Sequence, residues 1–251
     1  TLPGRQRNGD RPASRPFPFA CLPGKKEKGR NTMRAKALLP PALPEPLERA
    51  ERGEELIAMS AARQEPVSRW RFSGLDLCGE QLREMRFEQC VFEGCRFTGA
   101  DLRAASFADV EFKNCEFSAV QAAEVYFLRC RLRGVKARAA SLPDSRLAHV
   151  ELTECSFAEA NFTGASLEQV RNEGCDLSAA SLAEWRHKGL VVARDRFFRT
   201  SFFKTPLAGL DFTDSELEGV VVSDTAAELK GATVNVRQAA ELARLLGVTV
   251  R

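Results

Sequence analysis

The side chains of this 251-residue chain that are best suited to chemistry are eight cysteines and two histidines. Thiolate and imidazole groups bind zinc when they occur in closely spaced sets, and they form a nucleophile and base when a carboxylate orients them. The cysteine spacings are not those of a zinc site, and neither His149 nor His187 has a convincing nucleophile or carboxylate partner in the sequence. No GxSxG, HExxH or glycine-rich phosphate loop occurs either. The sequence therefore predicts a protein that is not an enzyme and that holds no metal, cofactor or small-molecule substrate.

A five-residue period explains where most of the cysteines lie. In FEQCVFEGCRFTGADL, the run from Phe87 to Leu102, a large apolar residue returns at every fifth position. The same register gives thirty-one central positions from residue 72 to residue 222, and twenty-five of them are Phe or Leu. Helices need apolar spacings of three and four, and half-buried strands need alternation, so the repeat itself defines the fold. Six cysteines take the position two residues before a centre: Cys90, Cys95, Cys115, Cys130, Cys155 and Cys175.

Each pentapeptide combines a short extended piece with a bend. Residues two apart on an extended chain point to the same side, so a small and a large apolar side chain turn inward together. Of the thirty positions that lie two residues after a centre, from 74 to 219, ten are Gly and four are Asp or Asn, which tolerate turns and positive φ. Repetition of this unit makes a coil. Successive coils stack as parallel strands about 4.8 Å apart, and the expected hand is right.

The runs CVFEGCRFTGADLRAASF and CSFAEANFTGASL resemble the A(D/N)LXX signature of pentapeptide-repeat proteins. The resemblance covers residues 72–222 and extends into the C-terminal tail. It implies four pentapeptides per coil, and therefore an all-β fold, a right-handed quadrilateral parallel β-helix of about eight coils, on the order of 37 Å long. It also implies that Cys95 stacks on Cys115 and Cys155 on Cys175. We interpret the inward cysteines as core filler, with a disulfide between stacked cysteines as the alternative.

The segments before the repeat are rich in proline. Residues 1–32 have two interpretations: a disordered basic tail, or a non-native leader, since Lys28-Gly29-Arg30 can be encoded by a ribosome-binding sequence ahead of Met33. Prolines and charges interrupt every candidate secretory signal in it. Residues 33–69 are interpreted as a Pro-rich linker and N-terminal cap, with a short helix near Pro46–Arg52 that covers the first coil of the β-helix at 70–225. Trp70 is expected to pack against this lid.

The C-terminal residues 226–251 predict a helix followed by a short strand. Asn235 and Gln238 form a capping box, and Gly247 suits the residue after the helix. One interpretation is a cap on the last coil. The other comes from resemblance to the quinolone-resistance (Qnr-type) branch, which implies a homodimer through this module. The residues expected at the dimer interface are Leu242, Leu245, Leu246, Val248 and Val250.

One stretch breaks the repeat. At 183–205 the small inward positions hold Trp185, Asp195, Thr200 and Thr205, and one centre is His187, so this coil is expected to be distorted or looped out. Phe198 and Phe203 each follow a central Phe, which turns them outward beside basic residues. They are candidates for a partner contact, or for burial beneath the C-terminal helix.

The charge distribution bears on the partner. Residues 1–32 carry eight Lys/Arg and two Asp/Glu, so the rest of the chain holds 29 basic and 32 acidic residues, a net charge of −3, which argues against direct nucleic-acid binding. The Qnr-type resemblance implies a DNA mimic that binds DNA gyrase or topoisomerase IV and reduces quinolone susceptibility. The acidic candidates for that contact are Glu84, Asp101, Glu124, Asp144, Asp211, Asp214, Glu216 and Glu218.

The total charge fits only local mimicry. Residues 72–222 contain 23 acidic and 18 basic residues, a net charge of −5. A B-DNA duplex about 37 Å long carries about −22. A scaffold for some other cytosolic protein, unrelated to gyrase, therefore stays open as the second hypothesis. No apolar run is long enough to span a membrane. The eight scattered cysteines favour free thiols in a reducing cytosol, so both hypotheses predict a cytoplasmic protein.

Overall fold

Parallel pairing between residues twenty apart in sequence runs along most of the protein, as seen in a computed structural model that describes residues 37–250. Val67 pairs with Phe87, and Phe87 pairs with Phe107. The same offset continues to the pairing of Ser201 with Val221. Twenty residues are four pentapeptides, so each coil has four sides and lies on the previous one. The chain forms a parallel β-helix of about nine turns, and the predicted fold class is confirmed.

The expected number of about eight coils left out the two end turns, which do not keep the five-residue register. At the N-terminal end Glu48 pairs with Trp70, and at the other end Asp211 pairs with Thr233. Both pairs are 22 residues apart rather than twenty. The interpretations of residues 1–32 concern residues outside the described part of the chain.

The regular elements are short, since each side of a coil holds only a few residues between two bends. The strands, in chain order, are β1 (Glu48–Arg49), β2 (Val67–Ser68), β3 (Trp70–Ser73), β4 (Arg86–Glu88), β5 (Val91–Glu93), β6 (Ser106–Ala108), β7 (Glu111–Lys113), β8 (Tyr126–Arg133), β9 (Arg146–Thr153), β10 (Ser166–Glu173), β11 (Arg186–Lys188), β12 (Val191–Ala193), β13 (Arg196–Phe198) and β14 (Glu216–Glu218). The helices are α1 (Gly53–Arg63) and α2 (Val236–Leu245), and a 3-10 turn spans Ala227–Leu229. No helix within residues 37–250 is long and apolar enough to cross a membrane.

The central side chains fill the interior of the coils in stacked columns. Phe72, Phe92 and Phe112 are fully buried, with ring centroids 4.9 Å and 5.2 Å apart in parallel orientation. Rings of adjacent columns meet edge to face, as Phe107 and Phe112 do at 5.3 Å. Stacked and edge-to-face rings are both favourable arrangements, so the period of five produces a continuous aromatic core.

The small inward positions follow a second rule that the sequence did not reveal. Most side chains there that can donate a hydrogen bond donate it to the carbonyl 23 residues earlier. The exceptions are Cys95, Ser145 and Ser215, of which Ser145 has no partner for its hydroxyl. Cys130 Sγ donates to the Phe107 carbonyl at 3.2 Å, and Thr200 Oγ1 donates to the Leu177 carbonyl at 2.7 Å. A short side chain with one donor therefore fits this position, whether it is a thiol or a hydroxyl.

The predicted bends are present. Every position two residues after a centre from 74 to 209 has a positive φ, as does Gly219, while Asp214 does not. Non-glycine residues accept this conformation as well, for example Ala104 with φ 57°. The stacking of coils thus outweighs the local cost that a Cβ meets in the left-handed region.

The stretch 183–205 is regular, and the prediction of a distorted or looped-out coil was wrong. Leu167 pairs with His187, and Ser181 pairs with Ser201, with no change of offset. Trp185 is accommodated because its Nε1 donates to the carbonyl of Phe162 at 3.0 Å, again 23 residues earlier. The remaining irregular side chains are satisfied in the same way or by the neighbouring backbone: Asp195, Thr200, Thr205 and, through the Pro206 carbonyl, His187.

The N-terminal cap lies later in the chain than predicted. The helix expected near Pro46–Arg52 is absent, because Glu48 and Arg49 pair with the first coil as β1, and α1 begins only at Gly53. A Cβ placed on Gly53 would lie 2.7 Å from Leu75, which shows how closely α1 sits on that coil. Ile57 of α1 is 1% exposed and joins the core. Trp70 packs partly buried against the core beside α1.

The C-terminal helix agrees with its local signals, but the strand after it does not form. The Asn235 side chain accepts from the Gln238 N–H at 3.0 Å, and Gln238 Oε1 accepts from the Asn235 N–H at 2.8 Å. Gly247 has φ 77°, as expected after a helix. Val248 and Val250 belong to no strand, so that prediction was wrong.

Asn172 is the one central residue within 37–250 that leaves a polar atom without a partner in the core. It is 2% exposed, its Oδ1 has no hydrogen-bond partner, and it lines a cavity of about 10 Å³. We expect Asn172→Leu to raise the free energy of unfolding by about 2 kcal/mol, because it removes an unsatisfied group and adds apolar burial. Urea unfolding measures this change.

The matched control is Asn161→Leu. Asn161 is exposed and its Oδ1 accepts from Thr163, so the same change there offers no stabilisation. If Asn172→Leu proves less stable than the wild type, Asn172 is satisfied in solution.

Candidate protein-interaction surface

Outward side chains form columns along the β-helix, because residues twenty apart lie above one another. One column alternates in charge: Asp76, Arg96, Glu116, Lys136, Ser156, Asp176, Arg196 and Glu216. Its arginines pair with neighbouring coils, Arg96 with Asp76 at 3.1 Å and Arg196 with Glu216 at 3.3 Å. On the next side Arg131 lies between Glu111 at 3.5 Å and Glu151 at 2.8 Å. These two sides neutralise themselves and have little charge to offer a partner.

A corner of the coil carries four of the acidic residues. Glu84, Glu124, Asp144 and Glu184 are exposed and belong to one column, with small residues such as Ala104 between them. Neighbouring members of a column are about 4.8 Å apart. Glu184 pairs with Lys204 at 3.5 Å. The column is therefore an interrupted acidic edge. Sequence reasoning had named Glu84, Glu124 and Asp144 as candidate contact residues.

Asp101 differs from the other acidic candidates. It is 5% exposed, and its carboxylate accepts from Arg83 at 2.5 Å and from Arg103 at 2.6 Å. Two guanidinium groups thus neutralise this charge, and the side chain is packed beneath them. Asp101 contributes to the structure of the corner and offers no free carboxylate to a partner.

The last coil has the densest acidic surface. Residues 205–229 contain six acidic residues and no basic residue, and all six except the buried Glu228 are exposed. Asp211, Asp214, Glu216 and Glu218 are all exposed. The backbone N–H of Thr213 donates to Asp211 at 3.0 Å and lowers the pKa of that carboxyl, so it is ionised at neutral pH. The sequence prediction named these four residues, and the coil brings them to one end of the β-helix.

Aromatic and basic side chains adjoin this end. The Arg199 guanidinium lies 5.1 Å from the ring centre of the half-buried Phe198, and the Lys204 ammonium lies 5.1 Å from that of Phe203. Phe203 is 41% exposed. The alternative of burial beneath the C-terminal helix therefore does not hold for Phe203. Both rings are covered on one side by cations, an arrangement that favours a polar or acidic contact.

The C-terminal module, residues 226–251, has features of both interpretations offered for it, a cap on the last coil and a dimerisation module. Leu242 is partly buried against the core, as a cap requires. Leu245, Leu246, Val248 and Val250 are exposed, between 39% and 60%. Val236 is 89% exposed as well, but it lies two and a half helical turns before Leu245 and therefore faces the opposite side of α2. The end of the chain therefore presents an exposed apolar patch next to the acidic coil.

The six inward cysteines offer no chemistry at the surface, whereas Cys78 is a half-buried free thiol. All six inward cysteines are buried free thiols, which supports their interpretation as core filler over a disulfide. Burial raises the pKa of Cys90 to about 11 and that of Cys130 to about 12, so both remain protonated thiols. No group of three metal-binding side chains is found within residues 37–250.

Comparison with known proteins gives the same repeat. A family model described as pentapeptide repeats (8 copies) matches residues 81–119, and one described as a pentapeptide repeat region matches residues 105–182. Both ranges lie inside the stack of regular coils. A comparison with curated protein sequences found no matching relative.

Three solved structures show the range of the structural matches. A trypsin-treated variant of QnrB1, a plasmid-mediated fluoroquinolone resistance protein, is 20% identical over 74% of this chain and 92% of its own, with a TM-score of 0.31. HetL, a pentapeptide repeat protein involved in heterocyst differentiation regulation from the cyanobacterium Nostoc sp. strain PCC 7120, is 21% identical over 72% and 93%, with a TM-score of 0.32. Rfr23, a pentapeptide repeat protein from the cyanobacterium Cyanothece 51142, is 11% identical over 73% and 99%, with a TM-score of 0.25.

These scores are too low to carry any argument about function. The family matches, the twenty-residue offset and the columns of Phe and Leu all describe one repeat unit. Residues 81–182 are therefore a pentapeptide-repeat region.

Proposed function

We propose that this protein acts without catalysis, by binding a basic surface of another protein through the acidic last coil. The observation that carries the proposal is the group of five exposed acidic residues, with no basic residue among them, at 205–229. We further propose that the partner is a type II topoisomerase, DNA gyrase or topoisomerase IV, whose DNA-binding surface is basic. The acidic coil then takes the place of a short stretch of duplex and reduces quinolone susceptibility. This partner rests on the resemblance of the repeat and tail to the Qnr-type branch.

The mimicry that we propose is local. The sides of the β-helix with alternating charges have little net charge for a basic groove, whereas Asp211, Asp214 and Glu218 have no ion-pair partner within 4 Å among residues 37–250. The corner column of Glu84, Glu124 and Asp144 extends the acidic surface toward the N-terminal end. Electrostatic attraction of this kind raises the association rate and falls with salt concentration.

We propose that two copies associate through the exposed apolar residues after Leu242. Leu245, Leu246, Val248 and Val250 would be covered in such a homodimer. Since the acidic coil adjoins α2, with which β14 is in contact, dimerisation would bring two acidic ends near each other. A doubled acidic centre fits a basic groove built to hold continuous duplex better than one coil does.

The test is a gyrase supercoiling assay in the presence of ciprofloxacin. We expect micromolar wild-type protein to protect supercoiling, and the double variant Asp214→Lys, Glu218→Lys to need a concentration at least about tenfold higher, because like charges would then face each other. The matched control is Glu80→Lys, Glu88→Lys. It makes the same charge change at two exposed residues of the first coil and should protect like the wild type.

The result that would contradict the topoisomerase proposal is wild-type protein that neither binds gyrase nor protects it at micromolar concentration. A scaffold for another cytosolic protein would then be favoured. The specific observation for that second candidate is the pair of outward rings, Phe198 and Phe203, with their bound cations. Aromatic and arginine side chains are enriched among residues that dominate protein interfaces. Equal loss of protection in both double variants would assign the effect to net charge alone.

A further inference from the structure

A proline-rich segment lies along the outside of the β-helix before the first coil. This segment, residues 38–47, is called the strap here and has the sequence LLPPALPEPL. Leu38, Pro41, Pro44 and Leu47 are half-buried, with Leu43 beside them, whereas Leu39 is 48% exposed. A burial period of three residues is that of a polyproline II helix, which proline favours. The strap therefore places one edge against the coils and turns its other side to solvent.

The coils hold the strap through its backbone. The N–H of Ala42 donates to Asp109 Oδ1 at 2.9 Å, and the carbonyl of Ala42 accepts from Gln89 Nε2 at 3.1 Å. The N–H of Leu39 donates to His149 Nδ1 at 3.3 Å. Gln89, Asp109 and His149 belong to one column of bends, all with positive φ, and this column with the groups around it is called the flank.

The repeat of the flank matches the repeat of the strap. Leu39 and Ala42 are three residues apart, which is about 9.3 Å in a polyproline II helix. His149 and Asp109 are forty residues and therefore two coils apart, which is about 9.6 Å. One turn of the peptide thus spans two coils to within a few tenths of an ångström. The two contacts show this match over the turn from Leu39 to Ala42.

Side chains from neighbouring coils hold in place the two flank side chains, Asp109 and Gln89, that form hydrogen bonds to the strap backbone. Arg129 donates to both carboxylate oxygens of Asp109, at 2.7 Å and 2.6 Å. Burial acts to raise the pKa of Asp109, but Arg129 and the Ala42 N–H outweigh it and lower that pKa, so the acceptor is ionised. Arg69 Nε donates to Gln89 Oε1 at 3.2 Å, which leaves the Gln89 amide N–H free to reach the strap. Such support reduces the cost of ordering these side chains when a peptide binds.

We propose that the flank is a docking surface for an extended proline-rich segment of a partner protein, and that the strap is the intramolecular occupant which this segment displaces. The flank makes hydrogen bonds to backbone N–H and C=O groups and packs against an apolar residue at every third position. It can therefore bind other sequences that have the same conformation. Within the strap no backbone pairing to the coils occurs until β1 begins at Glu48. The proposal is independent of the topoisomerase partner, because it uses another side of the β-helix.

The test measures binding of a labelled peptide to the full chain. The fluorescein-labelled probe keeps the leucines and prolines of the strap and changes the residues between them. We expect the variant Leu38→Asp, which loosens the half-buried edge, to bind this peptide about tenfold more tightly than the wild type. The reason is that only molecules whose strap has left the flank can bind the peptide. The apparent affinity is proportional to the fraction of such molecules, and Leu38→Asp increases this fraction. The matched control is Leu39→Asp at the adjacent exposed leucine, which should bind like the wild type.

A second substitution links the binding to the flank. Adding Gln89→Ala to Leu38→Asp removes the donor to the peptide carbonyl and should cancel most of the gain. Equal affinity of the Leu38→Asp and Leu39→Asp variants would overturn the proposal. So would equal binding of a control peptide whose leucines and prolines are replaced by serine. If Leu38→Asp instead dimerises as its concentration rises and binds no peptide, the flank binds the strap of a second copy of this chain and not a partner protein, and the proposal is wrong.

Hydrogen exchange of the unmodified protein gives an independent measurement that needs no variant. A displaceable strap requires the amides of Leu39 and Ala42 to exchange at least about a hundredfold faster than coil amides such as that of Phe97, because they open without unfolding the coils. Exchange as slow as that of Phe97 would show that the strap is an integral part of the fold, and it would overturn the proposal.

Discussion

Replacing Phe112 by alanine is expected to lower the free energy of unfolding by about 4 kcal/mol. Phe112 is fully buried and is the ring with the most aromatic neighbours in the core: it stacks on Phe92 at 5.2 Å and meets Phe107 and Phe117 edge to face at 5.3 Å. The columns above and below are held by backbone pairing, so they cannot close around the space that the ring leaves. Urea unfolding followed by circular dichroism measures the loss.

The matched control is Phe203→Ala, which removes the same atoms from a ring that is 41% exposed. Its expected effect is below about 1 kcal/mol. Because each coil contacts only its neighbours, the Phe112 variant should also unfold less cooperatively, with the coils on either side of it separating into two transitions. Equal losses for the two variants would show that the aromatic columns do not provide the stability of this fold.

The second large effect concerns pH and a single carboxyl. Asp195 is 1% exposed and accepts from the backbone N–H of Cys175 at 2.7 Å. Burial, helped by the charges of Asp214 and Glu173, raises the pKa of Asp195 to about 7. In the unfolded chain this carboxyl has a pKa of about 3.9. Between these two values the unfolded chain loses its proton while the folded protein keeps it, so stability falls as pH rises.

Below pH ~4 Asp195 is protonated in both states and does not change the free energy of unfolding. As the pH rises, its raised pKa lowers that free energy, by about 4 kcal/mol above pH ~7. The measurement is the difference in unfolding free energy between the wild type and Asp195→Asn at several pH values from 4 to 8. We expect the unfolding free energy of the wild type to fall by about 4 kcal/mol relative to that of Asp195→Asn between pH 4 and pH 8. The comparison variant is Asp76→Asn, because the hydrogen bond to Cys78 lowers the pKa of that exposed carboxyl. Parallel pH curves for wild type and Asp195→Asn would refute the assignment.

The parts of the fold that depend on local pattern could be predicted from sequence. The inward position of Phe87, Phe107 and Phe127 follows directly from the period of five, since residues spaced in this way must share one environment. Their stacking in one column follows only from the coil of four pentapeptides, which the family resemblance implied. The capping box of Asn235 and Gln238 is also a local signal, and it gave the start of α2 correctly. The N-terminal helix was placed too early, because pairing of Glu48 with Trp70, 22 residues away, decides the conformation there.

The irregular stretch shows why composition alone misled. Thr205 and Trp185 look out of place beside Cys and Ala, but each donates to a carbonyl 23 residues earlier in the chain. That partner cannot be identified until the coil length is known. The candidate surface has the same limitation. Asp101 was grouped with the exposed acids, although Arg83 from the preceding coil and Arg103 from its own coil cover it. The contacts of the strap with Asp109 and His149 span 67 and 110 residues and left no sequence signal.

The alternating charge column constrains how a molecule of this kind can change in length during evolution. Its sign reverses from Asp76 to Arg96 to Glu116 to Lys136, so the pattern returns only after two coils. Tandem duplication of one twenty-residue unit in the gene would set identical charges against each other, for instance arginine on arginine. Duplication of forty residues would preserve every attraction along that side. From Asp76 to Lys136, growth by two coils would therefore keep the ion pairs that growth by one coil would lose.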